Sequence, residues 1–378
     1  MKFSCSKTIL NDIVNIVQKA IGQKAIHPIL ECIKIDAQPD GHVLFTANSV
    51  ELCIEYNSEI NVTESGTVAL PSKIFGEIVR RLPEGDVKIY VDDINYIADI
   101  ECEQSKFNIQ GMATDDFPDV PIVDEEYRTK MLQGELRQII RKVFPFISPI
   151  ESRKPVLTGA LFDFKEEVLS VVGTDTHRLA VINTPIATNT EPKKFVVPGA
   201  TLAKVGQLLT DEEGASVDVI VSNKNILFDF GVYQVYSRLL DGEFLKYDVI
   251  LAAANSIKVK TDKESIVKSF DRANLIINDD LSSKTENKMP VKLNIENGKI
   301  EISCKTVRGC VNDTVSVYHE GGNLLIGLNC KFMLDALNAC DDDNVIMEFS
   351  APTSGCFIRP EDGSDKYTYM VLPVRLYN

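Results

Sequence analysis

At 378 residues, with 44% hydrophobic and 25% charged side chains, the chain is too long for one comfortable core and too rich in apolar residues to be disordered, so two or three folded domains are expected. A formal net charge of −15 argues against nucleic-acid binding unless the cations are gathered on one surface. No apolar run approaches the roughly 18 residues that span a bilayer, and the opening Met-Lys-Phe-Ser-Cys-Ser-Lys does not read as a signal peptide, so a cytoplasmic location without membrane contact is expected.

In chain order, Ile9, Leu10, Ile13, Val14, Ile16, Val17, Ala20 and Ile21 recur at helical spacing, which predicts a helix over 7–24, and Ile74, Phe75, Ile78, Val79 and Leu82 predict a second over 72–82. Leu136, Ile139, Ile140 and Val143 predict a third over 134–144, and Leu202, Val205, Leu208 and Leu209 a fourth over 200–209. Ile266, Val267 and Phe270, then Phe332, Met333 and Leu337, predict helices over 263–273 and 331–340. Between them lie short alternating or β-branched runs such as DVKIYVDD, SVDVIVSN and KIEISCKTV, punctuated by Asp-Gly, Glu-Gly and Asn-Gly turn signals.

The elements repeat. HPILECIKID, from His27, resembles KPVLTGALFDF, from Lys154, and more weakly MPVKLNIE, from Met289. Pro28 and Pro155, Asn48 and Asp175, and Pro71 and Pro198 all stand 127 residues apart, and the third copy places Leu328 at the last of these positions. Unrelated domains would not keep one offset across three anchors, so the chain reads as three tandem copies of an α+β unit, each of two helices and roughly eight strands. The joins fall near 123–130 and 251–256, giving domains 1–125, 126–252 and 253–378.

Charge is divided along the same lines. The six helical segments together carry +8, which leaves −23 for the rest of the chain. Basic helices on an acidic body can offer one face to a polyanion while the exterior repels it, although helices also favour Lys and Arg for propensity alone.

Nine cysteines include no C-x-x-C pair and the four histidines are far apart, so reduced, buried thiols are expected, and neither a metal nor a cofactor. Asp175 and His177, in TDTHR, read alone, suit either an acid–base or metal site or a structural or peptide-binding histidine. The chain has no G-x-S-x-G elbow, phosphate-cradling glycine loop or H-E-x-x-H helix to support an enzyme.

Short stretches spread over nearly the whole chain resemble the bacterial DNA polymerase III beta subunit, the replicative sliding clamp: MKF at the start, HPIL at 27–30, LPEG at 82–85, DFP at 116–118, RKPVLTG at 153–159, GTDTHRLAV at 173–181, LLDGEF at 239–244, IGLN at 326–329 and MVLPVRL at 370–376. The resemblance implies a non-enzymatic processivity factor: a head-to-tail homodimeric ring around duplex DNA, helices inside and sheets outside. A clamp loader would load it, and the replicative polymerase and other clamp-binding replication and repair proteins would dock on it. It implies a hydrophobic peptide pocket formed by Leu157, Thr174, Thr176, His177, Arg178, Leu179, Leu245, Val249, Ile250, Met370, Val371, Leu372, Pro373, Val374 and Arg375. Leu245 stands where family members often carry proline, and Val249 where some carry arginine. By position, DNA contacts fall to Lys24, Lys73, Arg80, Arg137, Arg141, Arg153 and Lys154, directed at phosphates and independent of base sequence. Phe107 and Ile109, on an edge strand, are expected to meet Leu275 and Ile276 of a partner subunit. The other readings are an enzyme using cysteine or Asp175–His177 chemistry, a scaffold on the same repeat that binds only protein, and a clamp paralogue specialised for resistance to an inhibitor.

Overall fold

The computed structural model describes residues 1–22, 27–149, 154–186, 192–278 and 290–376. They form two compact units, one of residues 1–137 and 200–239, the other of 138–199 and 240–378, so the middle third of the sequence contributes to both.

The first unit holds two antiparallel sheets. One has the order β5 (Asn61–Glu64), β1 (Lys2–Ser6), β7 (Asp86–Val91), β8 (Ile97–Cys102) and β9 (Ser105–Gln110). The other runs β10 (Tyr127–Leu132), β15 (Ser216–Val221), β16 (Asn225–Asp229), β17 (Tyr233–Arg238), β4 (Leu52–Glu59), β3 (His42–Asn48), β2 (Cys32–Ala37) and β6 (Gly66–Pro71). Helices α1 (Lys7–Val17) and α2 (Ser72–Arg81) pack on each other. Helix α1 starts where the Ser6 hydroxyl accepts the amide of Ile9 at 3.3 Å, and it buries Leu10, Ile13, Val14 and Val17 against β3 and β4. It stops at Val17, short of the expected residue 24: the chain tightens into a 3₁₀ turn over Gln18–Ala20, and the Gln18 side chain turns back to donate to the carbonyl of Ser72.

The second unit is built likewise. Its larger sheet runs β14 (Lys193–Pro198), β11 (Gly159–Phe164), β12 (Val168–Thr174), β13 (Arg178–Pro185), β26 (Tyr367–Val371), β25 (Cys356–Pro360), β24 (Asn344–Phe349), β18 (Ile257–Asp262) and β22 (Tyr318–Glu320). The smaller runs β21 (Cys310–Ser316), β20 (Lys299–Lys305), β19 (Pro290–Glu296) and β23 (Leu324–Asn329). Helix α6 (Lys263–Asn278) runs five residues past its expected end and packs on β20, β21 and α7 (Cys330–Asn338), whose first turn is capped by the Asn329 side chain accepting from Phe332 N at 3.1 Å. Helices α3 (Gln133–Val143) and α4 (Gly199–Gly206) complete the six, and a short α5 (Tyr247–Leu251), unforeseen in the sequence, is the seventh among the described residues. The 127-residue register survives folding: β2 and β11, and likewise β6 and β14, begin and end that far apart.

Arg178 is the polar centre of the second unit. It is 7% exposed, at the start of β13, and its guanidinium donates to Asp175 at 2.9 Å, to Asp335 of α7 at 2.5 Å and to the carbonyl of Pro145 at 2.5 Å. Its Cζ lies over the Phe332 ring, 4.2 Å from the centre, and over that of Phe146, 5.2 Å from the centre. One fork thus joins the β12–β13 turn, α7 and the segment after α3, a geometry that a lysine ammonium cannot match. Removing one partner of a buried pair strands the others, so Arg178→Ala is expected to lower stability by about 3 kcal/mol, read as a lower urea midpoint, with Arg178→Lys recovering less than half of the loss.

Candidate functional site

Antiparallel pairing lines up one row of residues across four strands: Thr174 opposite Leu179, Leu179 opposite Met370, and Met370 opposite Phe357. Cross-strand partners share a face of the sheet. On this face Leu179, Met370 and Phe357 of the row join Val156, Leu157, Leu161, Val181 and Tyr247 in one buried apolar cluster. Over the cluster opens a cleft of about 690 Å³, lined by Lys154, Val156, Leu157, Thr174, Thr176, Leu179, Glu243, Phe244, Leu245, Lys246, Ile250, Met370 and Leu372. Its base is apolar apart from the buried Thr174, whereas Leu245 and Leu372 stand 43% and 38% exposed on its walls. Apolar side chains left at the rim of a concave surface give a ligand somewhere to bury its own.

Eight of the residues assigned by resemblance to a peptide pocket line this cleft: Leu157, Thr174, Thr176, Leu179, Leu245, Ile250, Met370 and Leu372. The others lie outside its lining, and the pleat explains two of them. Arg178 and Val371, one residue from Leu179 and Met370, face each other on the opposite side of the sheet, where both are buried. His177 is exposed, with its ring 6.4 Å from that of Phe332, and its carbonyl accepts the amide of Leu372 at 2.8 Å. Val249 is 72% exposed on α5; Pro373 and Val374 are half-buried, with Val374 N donating to the Gly327 carbonyl at 2.8 Å; Arg375 is exposed. Sequence reasoning missed Val156, beside Leu157 in KPVLTG, and Glu243, Phe244 and Lys246, which surround Leu245 just after LLDGEF. Lys154, assigned to DNA, stands in the cleft's lining.

Asp175 spends its carboxylate on local structure. One oxygen accepts the amides of His177 and Arg178 at 2.9 and 3.0 Å, and the other accepts from the Arg178 guanidinium. Among the described residues no cluster of three or more His, Cys, Asp or Glu could hold a metal ion, and no helix is long and apolar enough to cross a membrane. Of the nine cysteines seven are buried, Cys5 is half-buried and Cys310 is exposed. Burial pushes the Cys53, Cys330 and Cys340 thiols up to about 12, away from the thiolate a nucleophile needs.

Four of the basic residues assigned to DNA sit on exposed helix surface. Lys73 and Arg80 are exposed on α2, with Arg80 paired to Glu77. Arg137 and Arg141, one turn apart on α3, are paired to Asp211 and, at 3.9 Å, to Asp341. Lys24 and Arg153 lie outside the described residues. Phe107, 39% exposed, and Ile109, 8% exposed, belong to β9, the last strand of its sheet. Leu275, 71% exposed, and Ile276, half-buried, lie near the end of α6.

Comparison with known proteins agrees with this architecture. Family models for the N-terminal, central and C-terminal domains of the DNA polymerase III beta subunit match residues 1–121, 130–246 and 249–375. The beta sliding clamp of Staphylococcus aureus is 30% identical over 387 residues, covering all of both chains. A structure from Eubacterium rectale, assigned to the DNA polymerase III beta subunits, superposes with a TM-score of 0.93 at 35% identity over 99% of each chain. The DNA polymerase sliding clamp of Bacillus subtilis superposes with a TM-score of 0.92 at 28% identity over 100% of each. With three consecutive domain matches, full-length relatives and this fold, the chain belongs to the DNA polymerase III beta subunit family, the bacterial sliding clamps that serve DNA polymerase as non-enzymatic processivity factors.

Proposed function

We propose that two copies of this chain, each of three clamp domains spanning 1–125, 126–252 and 253–378, close head to tail into a ring around duplex DNA in the cytoplasm. The replicative polymerase, the clamp loader and other replication and repair proteins dock through short peptides in the cleft over Leu179 and Met370. The observation that carries the docking half of this reading is the cleft itself, in which eight side chains assigned by resemblance converge on one apolar base. Of the wider set, Val249, exposed on α5, and Arg375, exposed near the tail, are suited to contacts at the margin of such a peptide. Griselimycin, with which a Pseudomonas aeruginosa sliding clamp has been crystallised, is a ready probe. Met370→Asp buries a charge in the apolar base and is expected to weaken griselimycin binding at least tenfold, measured by calorimetry, with the dimer unchanged.

DNA is held by enclosure more than by affinity. The cations on α2 and α3 are paired with carboxylates, but the pairs are exposed and worth about 0–1 kcal/mol each, so a phosphate can replace the carboxylate at small cost. Such contacts are sequence-independent and exchange rapidly, which suits a ring that slides. With a clamp loader, the protein is expected to stay on nicked circular DNA in high salt and to leave once the circle is cut; equal retention on circular and linear DNA would overturn the ring. Arg137→Gln with Arg141→Gln is expected to slow loading and to flatten the dependence of DNA association on salt by about 0.9 log units per log unit of salt for each phosphate that is no longer neutralised.

Ring closure asks for two surfaces that fit each other. The last strand β9, on which Phe107 is exposed, and the exposed Leu275 of α6 are two such surfaces, a sheet edge and an apolar helix end. Leu275→Asp is expected to convert the dimer to monomers at micromolar concentration in sedimentation velocity, while leaving griselimycin binding intact.

A further inference from the structure

We infer that Tyr247 and Asp163 are the positioning pair of the cleft, tethering the connector that forms one wall and so setting the space offered to a partner's side chain. This rests on the reading of the cleft as a docking site.

The wall is a connector with little structure of its own. Residues 243–246 and Ile250 line the cleft, and α5 has only five residues, too few to be stable alone. Tyr247 is the one residue of this stretch that is fully buried, at 2% exposure, with its ring inside the apolar cluster beneath the cleft. Its hydroxyl donates to a carboxylate oxygen of Asp163, on β11, at 2.7 Å, and Asp163 itself is 0% exposed. Lys194 meets the same carboxylate oxygen at 2.9 Å. Lys165 reaches Asp248 at 3.4 Å and lies 5.3 Å from the centre of the Tyr247 ring. The connector is therefore anchored immediately after Leu245 and Lys246, and those two residues stand exposed above the anchor.

The first copy of the repeat shows what a different anchor does. At the 127-residue offset Tyr247 corresponds to Val120, which has no hydroxyl, and Leu245 and Lys246 correspond to Pro118 and Asp119. There the connector is held by Asn48, whose amide nitrogen donates to the carbonyls of Pro118 at 3.3 Å and Asp119 at 3.0 Å. Phe117, Val120 and Val123 pack down against the underlying apolar side chains. In the second copy the residue matching Asn48 is Asp175, a carboxylate that cannot donate and is already occupied by Arg178 and the amide of His177. The clasp has moved from the two residues after the phenylalanine to the tyrosine beyond them, and the cleft opens beside the residues it released.

Tyr247→Phe keeps the ring and removes only the tether. Hydrogen–deuterium exchange of the intact dimer should show amides 243–251 exchanging at least about tenfold faster in this variant, with the thermal midpoint lowered by no more than about a few degrees, retention on circular DNA unchanged and griselimycin bound at least threefold more weakly. Asn48→Ala, by contrast, should accelerate exchange at 117–123 and leave 243–251 alone. Wild-type protection across 243–251 in Tyr247→Phe, or acceleration spread evenly over the chain, would overturn the tether. Faster exchange at 243–251 with unaltered griselimycin affinity would overturn its role in the cleft, whereas a wild-type protein that does not bind griselimycin at all would overturn the docking reading instead.

Discussion

Strands β13 and β26 lie side by side, and the pleat obliges each pair of neighbouring residues on them to face opposite ways. Leu179 and Met370 fall on one side and Arg178 and Val371 on the other, so a single register serves two purposes. One side presents an apolar base that a peptide can cover; the other buries a guanidinium that joins α7 to the β12–β13 turn. A slip of one residue would put the arginine in the cleft and the leucine among carboxylates, which is why the register is strongly specified here. The rigidity of the cleft's floor and the cohesion of the structure beneath it have the same source.

The walls follow a looser rule. They come from a connector and from the chain after β26, segments joined to the structure beneath by a few polar contacts, among them Leu372 N on the His177 carbonyl, Val374 N on the Gly327 carbonyl and the Tyr247 hydroxyl on Asp163, and, for the connector, by the packing of Phe244, Tyr247 and Ile250 on the apolar cluster. A floor fixed by sheet register, with walls supplied by connecting segments, can take side chains of different size, as a surface shared by several partners requires. The helices face a comparable demand for weak, repeated contact. Cations paired to exposed carboxylates hold little energy in any one geometry, and in the proposed ring they can exchange partners as DNA moves past.

Much of this was legible in the residues. The 127-residue register placed β2 on β11 and β6 on β14 because strands with the same proline entry and the same turn chemistry fold alike. Six helices followed from apolar spacing, and their ends erred where local contacts decide: the Gln18 side chain and a 3₁₀ turn shorten α1, while packing against β21 and α7 extends α6. Which members of TDTHRL and MVLPVRL share a face was also implicit in their alternation, yet assignment by resemblance took both stretches whole. Helix α5 was not legible, since its five residues are held by a tyrosine–aspartate contact spanning 84 positions. Nor were the carboxylates opposite Arg137 and Arg141, because Asp211 and Asp341 approach from distant loops and no local pattern records them.

The buried cysteines have a consequence of another kind. Cys53 lies in the first compact unit and Cys356 in the second; both are almost wholly shielded, and burial holds both thiols well above their ordinary acidity range. Neither can react with a water-borne electrophile until its own sheet comes apart. Each is in effect a clock sealed inside one half of the subunit, started only by the opening of that half. Once the exposed Cys310 and the half-buried Cys5 are replaced, the buried thiols that remain can record which half gives way when force, heat or a loader strains the chain.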